Sequence, residues 1–147
     1  MLQRRSFIHL SLLIVALIII IYPYYKSKPD AQKVADSSAV AQEFLQLLDA
    51  RDFEQAWILS SNYMKGEIPL SDWLTRIETV RREVGPLQQR TQTEVKYTKD
   101  QVEGVPEGEY MSFFYSSDFA NHDNLQERVT LFFENNTAWR VAGYFVE

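Results

Sequence analysis

The chain has 147 residues, a net charge of −5 and no cysteine. That leaves room for one compact domain plus a short extra segment, and it excludes disulfides, thiolate chemistry and cysteine-based zinc sites. Residues 1 to 28 hold four positive charges (Arg4, Arg5, Lys26, Lys28) and no acidic one, so the remainder stands at −9, and an acidic domain is a poor nucleic-acid binder.

Arg4 and Arg5 precede an apolar run from Phe7 to Tyr25, which Lys26 and Lys28 close. A bilayer core of about 30 Å, at about 1.5 Å rise per residue, takes about 20 residues. Residues 7–25 therefore read as a single transmembrane signal-anchor, with 1–6 as a cytoplasmic amino end. Tyr22, Tyr24 and Tyr25 fall where an interfacial aromatic belt sits, and Pro23 lies near the end, where a missing N–H does least harm. The competing pattern is a cleaved signal peptide, but no small-x-small triplet closely follows the run; Ala35 and Ser37 are the nearest pair. Residues 26–37 are polar and read as a tether grading into a helix.

An α+β domain is expected over 38–147. From about Asp36, Val40, Phe44, Leu47 and Leu48 recur at helical spacing until Asp49 to Asp52 interrupts them. Phe53, Ala56, Trp57, Ser60 and Met64 form a second stripe, ended by Lys65-Gly66. Ser71 is placed to cap a third helix, with Trp73, Ile77, Val80 and Val84 on one face before Gly85-Pro86 stops it. Four strands rich in β-branched and aromatic residues follow: Thr91 to Val102, Tyr110 to Phe119, Val129 to Glu134 and Trp139 to Val146. Asn135-Asn136 can take the positive φ of a tight hairpin. Strict alternation along the last strand puts Trp139, Val141, Gly143 and Phe145 on one face and Arg140, Ala142, Tyr144 and Val146 on the other, both mostly apolar. Three amphipathic helices followed by four strands make a helical layer packed on a mainly antiparallel four-stranded sheet.

Chemical signals are sparse. No phosphate-binding glycine loop is present, and His122, the only histidine beyond the apolar run, sits among Asp118, Asp123 and Glu127 at a spacing that fits no zinc or calcium pattern, so neither metal nor cofactor is expected. Arg81, Arg82 and Arg90 cluster about the carboxyl end of the third helix, where they either stabilise the helix terminus or form an anion site. Three Trp, eight Tyr and nine Phe supply enough ring surface to fill a core or to wall a pocket. If there is a pocket, Trp57, Trp73, Tyr115 and Tyr144 are its expected walls and Arg81 and Arg90 its polar end.

The phrases Phe44-Leu45-Gln46-Leu47-Leu48-Asp49, Phe53-Glu54-Gln55-Ala56-Trp57, Trp73 with Arg81 and Gly85, Arg90, Pro106-Glu107-Gly108-Glu109-Tyr110, Phe119-Ala120-Asn121, Glu127 and Trp139-Arg140-Val141-Ala142-Gly143-Tyr144 resemble a bacterial family of small exported domains of unknown function, over roughly residues 38 to 147. The order of helices before sheet and the terminal Trp-Arg-Val strand are also similar to the nuclear-transport-factor-like (cystatin-like) superfamily, whose curved sheet and helices form a cone. This resemblance implies fold, not activity. With the amino end of the span inside, the chain is expected at the bacterial inner membrane, single-pass, with the carboxy-terminal domain in the periplasm; the aromatic excess and the two-sided apolar strand suggest an envelope protein or a small apolar molecule as its partner. That superfamily includes isomerases and dehydratases working through a pocket Asp or His, and by that analogy Asp118 is the residue to test as catalytic. A single span followed by such a cone is also similar to the inner-membrane assembly factors of secretion complexes.

Overall fold

The computed structural model describes residues 28 to 99 and 104 to 147. The expected membrane-spanning stretch, 7–25, lies outside them, and among the described residues no helix is long and apolar enough to cross a membrane. Four helices precede four strands: α1 (Ala31–Asp49), α2 (Phe53–Ile58), α3 (Asn62–Glu67), α4 (Leu70–Val84), then β1 (Leu87–Thr98), β2 (Tyr110–Phe119), β3 (Leu125–Glu134) and β4 (Ala138–Val146). The strands form one antiparallel sheet in the order β1-β2-β3-β4.

Helix α1 starts earlier than its sequence pattern suggests, inside the expected tether. The Asp30 side chain accepts from the Gln32 N–H at 3.0 Å, satisfying one of the free donors of the first turn. Its other end is a two-step corner. Asp52 N–H bonds Leu47 O and Arg51 N–H bonds Leu48 O, with Arg51 at φ 61°, the Schellman arrangement. The Asp52 carboxylate then caps α2 through Gln55 N–H.

The expected second stripe, Phe53 to Met64, is two short helices rather than one. Leu59 and Ser61 leave the helical path to bond the Val141 backbone (2.9 and 2.7 Å), so Ser60 bridges Val141 in parallel sense. Ser61 Oγ then caps α3 through Met64 N–H at 3.1 Å. Helix α4 begins after Pro69, ahead of the expected Ser71 cap, and its stop at Gly85 has φ 81°.

The helices cover one face of the sheet. Phe44, Leu45 and Leu48 of α1, together with Trp73 and Ile77 of α4, pack on Met111, Phe113, Val129, Leu131, Trp139 and Val141. On β4 the simple alternation fails. A register shift sets Leu131 opposite Val141 but Thr130 opposite Gly143, and this extra residue reverses the facing of everything after it. Tyr144 thereby joins Trp139 and Val141 on the covered face. Phe145 turns to the outer face, 51% exposed, where the Arg128 guanidinium lies 4.5 Å from its ring.

Candidate functional site

The polar residues of the interior come from every layer. Asp49 is the last residue of α1 and Arg81 lies in the last turn of α4. Arg90, Ser117, Glu127 and Tyr144 follow on β1, β2, β3 and β4. Ser117 is registered with Arg90, and Glu127 is opposite Tyr115 in one direction and Val146 in the other.

Glu127 is fully buried. Its Oε2 accepts from Arg90 Nε at 2.5 Å and from Ser117 Oγ at 2.8 Å. Its Oε1 accepts from Tyr144 Oη at 2.5 Å and from Arg90 Nη2 at 3.0 Å. The other edge of the Arg90 guanidinium donates to Asp49 at 2.7 and 3.0 Å. Arg81, 4% exposed, also donates to Asp49 and lies 3.7 Å from Glu127. Two acids and two arginines thus make a neutral quartet. Taking such charges out of water costs several kcal/mol per ion, which the charge-assisted bonds offset, although Arg81 Nη1 is buried without a hydrogen-bond partner.

The surroundings shift the titration of the quartet's neighbours. Burial pulls the Arg90 guanidinium down, but its bonds to Asp49 and Glu127 outweigh this and hold it above its ordinary range. Burial pushes Tyr144 well above the usual tyrosine value, and the adjacent Glu127 charge adds to it. Tyr115 is pushed up to about 12 by burial, with Arg90 pulling down and Glu127 pushing up; its hydroxyl is buried without a hydrogen-bond partner.

The sequence-predicted residues divide into two groups. Arg81 and Arg90, the expected polar end, come together with Tyr115 and Tyr144, two of the expected walls, but the anion beside them is Glu127 of the same chain. Trp57 and Trp73 meet each other instead, ring centroids 5.2 Å apart, within the apolar core. Phe44 presents its edge to Tyr144 at 5.7 Å, so these rings pack on one another. Asp118 stands apart, near the end of β2, where its Oδ1 accepts from Asn124 N–H at 2.8 Å and tightens the β2–β3 hairpin. Sequence pattern alone does not pair Asp49 and Glu127 with the arginines. The one available signal was that both stand among the phrases that carry the family resemblance.

A second polar cluster ties the amino end of α1 to the sheet. Glu109 accepts from Lys33 Nζ at 2.6 and 2.8 Å and from Tyr97 Oη at 2.9 Å. Burial opposes the Glu109 charge, but these two donors outweigh it and hold the carboxyl below its ordinary value. Among the described residues no group of three or more His, Cys, Asp or Glu side chains is placed to hold a metal ion. A small cleft of about 120 Å³ opens at the Asp49–Arg81 end of the quartet, beside Arg51, Gly85 and Pro86; larger clefts lie elsewhere. One of about 240 Å³ runs between α4 and the free edge of β4; another of about 300 Å³ opens on the outer face, lined by Tyr63, Thr98, Ser112, Thr130 and Phe145 among others.

These features define a small α+β domain whose helical layer and sheet are joined by a buried, internally neutralised ion cluster. The chain belongs to the family described as a protein of unknown function, DUF4019, whose model matches residues 40–144. No curated protein and no solved structure matches it.

Proposed function

We propose that the chain is a membrane-tethered, non-catalytic binding domain of the bacterial envelope. Residues 7–25 anchor it in the inner membrane, the domain over 38–147 faces the periplasm, and it engages a protein partner there. The observation that carries this reading is the state of Glu127. A general base needs a free lone pair within reach of a substrate. A carboxylate offers about four acceptor positions, and Arg90 twice, Ser117 and Tyr144 occupy that number on Glu127. Asp49 is likewise engaged by both arginines. Polar groups arranged in this way hold a shape, and a held shape suits recognition. The helical layer over one face of a four-stranded antiparallel sheet supports the likeness to the nuclear-transport-factor-like cone, a likeness that carries no activity with it.

The test is extraction of the full-length chain from bacterial membranes in mild detergent, followed by native mass spectrometry. The expected result is a protein partner retained in near-stoichiometric amount and an intact amino terminus. A bound small molecule with no protein partner overturns the partner assignment, and loss of residues 1 to 25 overturns the anchor.

A further inference from the structure

The free edge of β4 has two halves. In the first, Val141 is already paired, its N–H to Leu59 O and its C=O to Ser61 N–H. The second half, beyond the register shift, is open. Gln126 and Glu147 exchange N–H···O bonds in both directions, at 3.0 and 2.7 Å, which makes theirs a hydrogen-bonded pair. Antiparallel pairs alternate, so Val146 opposite Glu127 and Tyr144 opposite Val129 direct their N–H and C=O groups away from β3. Among the described residues no other group bonds them. The space beside them is the 240 Å³ groove, whose far wall is Trp73, Ile77 and Val80 of α4 with Met64 and Ile68. Arg76, exposed on the rim, forms no ion pair with a described residue.

We propose that this groove and the open half-edge are the docking site for an extended segment of a partner protein bearing a carboxylate. The inference rests on the binding-domain reading above and assigns its surface. Backbone groups at Tyr144 and Val146 supply the ladder of an added strand, alternate apolar side chains of the segment enter the groove, and Arg76 receives the carboxylate. An apolar molecule of another kind satisfies the groove but leaves the strand edge and the guanidinium unanswered. The paired Val141 stops the added strand at its near end, so the segment is short, matched to Ala142–Val146.

The probe is a capped pentapeptide of alternating Val and Thr with one terminal Glu, added at millimolar concentration to the full-length chain in detergent. Hydrogen–deuterium exchange at Tyr144 and Val146 is the readout. Protection at both amides is expected. Methylating the peptide nitrogens that face β4, or replacing its Glu by Lys, should weaken binding by about tenfold, the loss of roughly one hydrogen bond to a charged group or its equivalent. Arg76→Glu should reverse the preference between the Glu and Lys peptides. Equal binding of the methylated peptide, or no protection at these amides, overturns the assignment. The two readings fail separately: a partner that still co-purifies with the Arg76→Glu chain leaves the binding domain standing and removes this site, whereas absence of any protein partner removes the former.

Discussion

Glu127 occupies an inward position of an inner strand, two residues before the core residue Val129, yet it is a charged side chain with no exposure. It is tolerated because each oxygen has two donors. Removing its charge while keeping its shape therefore leaves two buried arginines sharing only Asp49. Glu127→Gln should cost about 3 kcal/mol in urea unfolding, the range for breaking a buried pair on one side. Tyr144→Phe removes one bond to the carboxylate and no charge, so its cost should be smaller, about 1.5 kcal/mol. The reverse order would mean that the Tyr144 hydroxyl, not the charge on Glu127, sets the stability of this end. The same residues make the alkaline limb informative. A tyrosine whose folded pKa lies above its unfolded value contributes stability in full below the unfolded value and loses it as pH rises through the folded one. Tyr115 moves from 10.0 to about 12, and burial raises Tyr144 well above its ordinary value. Stability should hold up to about pH 10 and fall from there toward 12. Denaturation midpoints that stay flat across that window would show that the hydroxyls ionise without cost and the cluster is open to water.

At the scale of elements, the junction of α4 with the β2–β3 hairpin is the most constrained. Gly85 has φ 81° and ψ −172°, a region that is essentially glycine-only. A Cβ there would meet Asn121 Nδ2 at 3.1 Å and Ala120 Cβ at 3.2 Å, and both residues are tied to the helix end, Asn121 N–H to Val84 O and Ala120 N–H to Pro86 O. Gly85→Ala should destabilise by about 1–3 kcal/mol, the usual range for such backbone strain, and Gly66→Ala, with open space about it, should not. Comparable thermal midpoints for the two variants would refute the strain. The elements themselves were largely legible. Helix and strand periodicity located both layers, β2 from Tyr110 to Phe119, and the paired asparagines of the last hairpin, which have φ 52° and 55°. Three features were hidden for a common reason. The break at Ser60, the extra residue near Ala142 and the early start of β3 at Leu125 are each set by a distant partner: the β4 edge, the register with β3, and the arginines that let Gln126-Glu127-Arg128 run inside a sheet. Local pattern reading leaves a polar triplet out of the strand and takes a regular alternation for an unbroken one.

At the scale of the whole molecule, the site was legible only as a list. Arg81 and Arg90 stood out as cations gathered about the end of α4, and Tyr115 and Tyr144 as hydroxyls on apolar strands. The partners, Asp49 at a helix end and Glu127 in a polar run, look solvated in sequence and are joined to the arginines only by the packing of α1 and α4 on the sheet. This raises a question about cooperativity, since Asp49 belongs to the helical layer and binds Arg90 of the sheet. If the ion cluster alone coupled the layers, Asp49→Ala would let the helices melt before the sheet. The apolar core argues otherwise, because Phe44, Leu45 and Leu48 of the same helix are at most 2% exposed and sit in one contiguous cluster with Val129, Leu131 and Val141. Asp49→Ala should therefore lower the urea midpoint while leaving the slope unchanged. Far-ultraviolet circular dichroism and tryptophan fluorescence should still trace one coincident transition, the mark of a two-state unit. Separated transitions would assign the coupling to the ion cluster, and with it the rigidity on which an exposed edge at Tyr144 and Val146 depends.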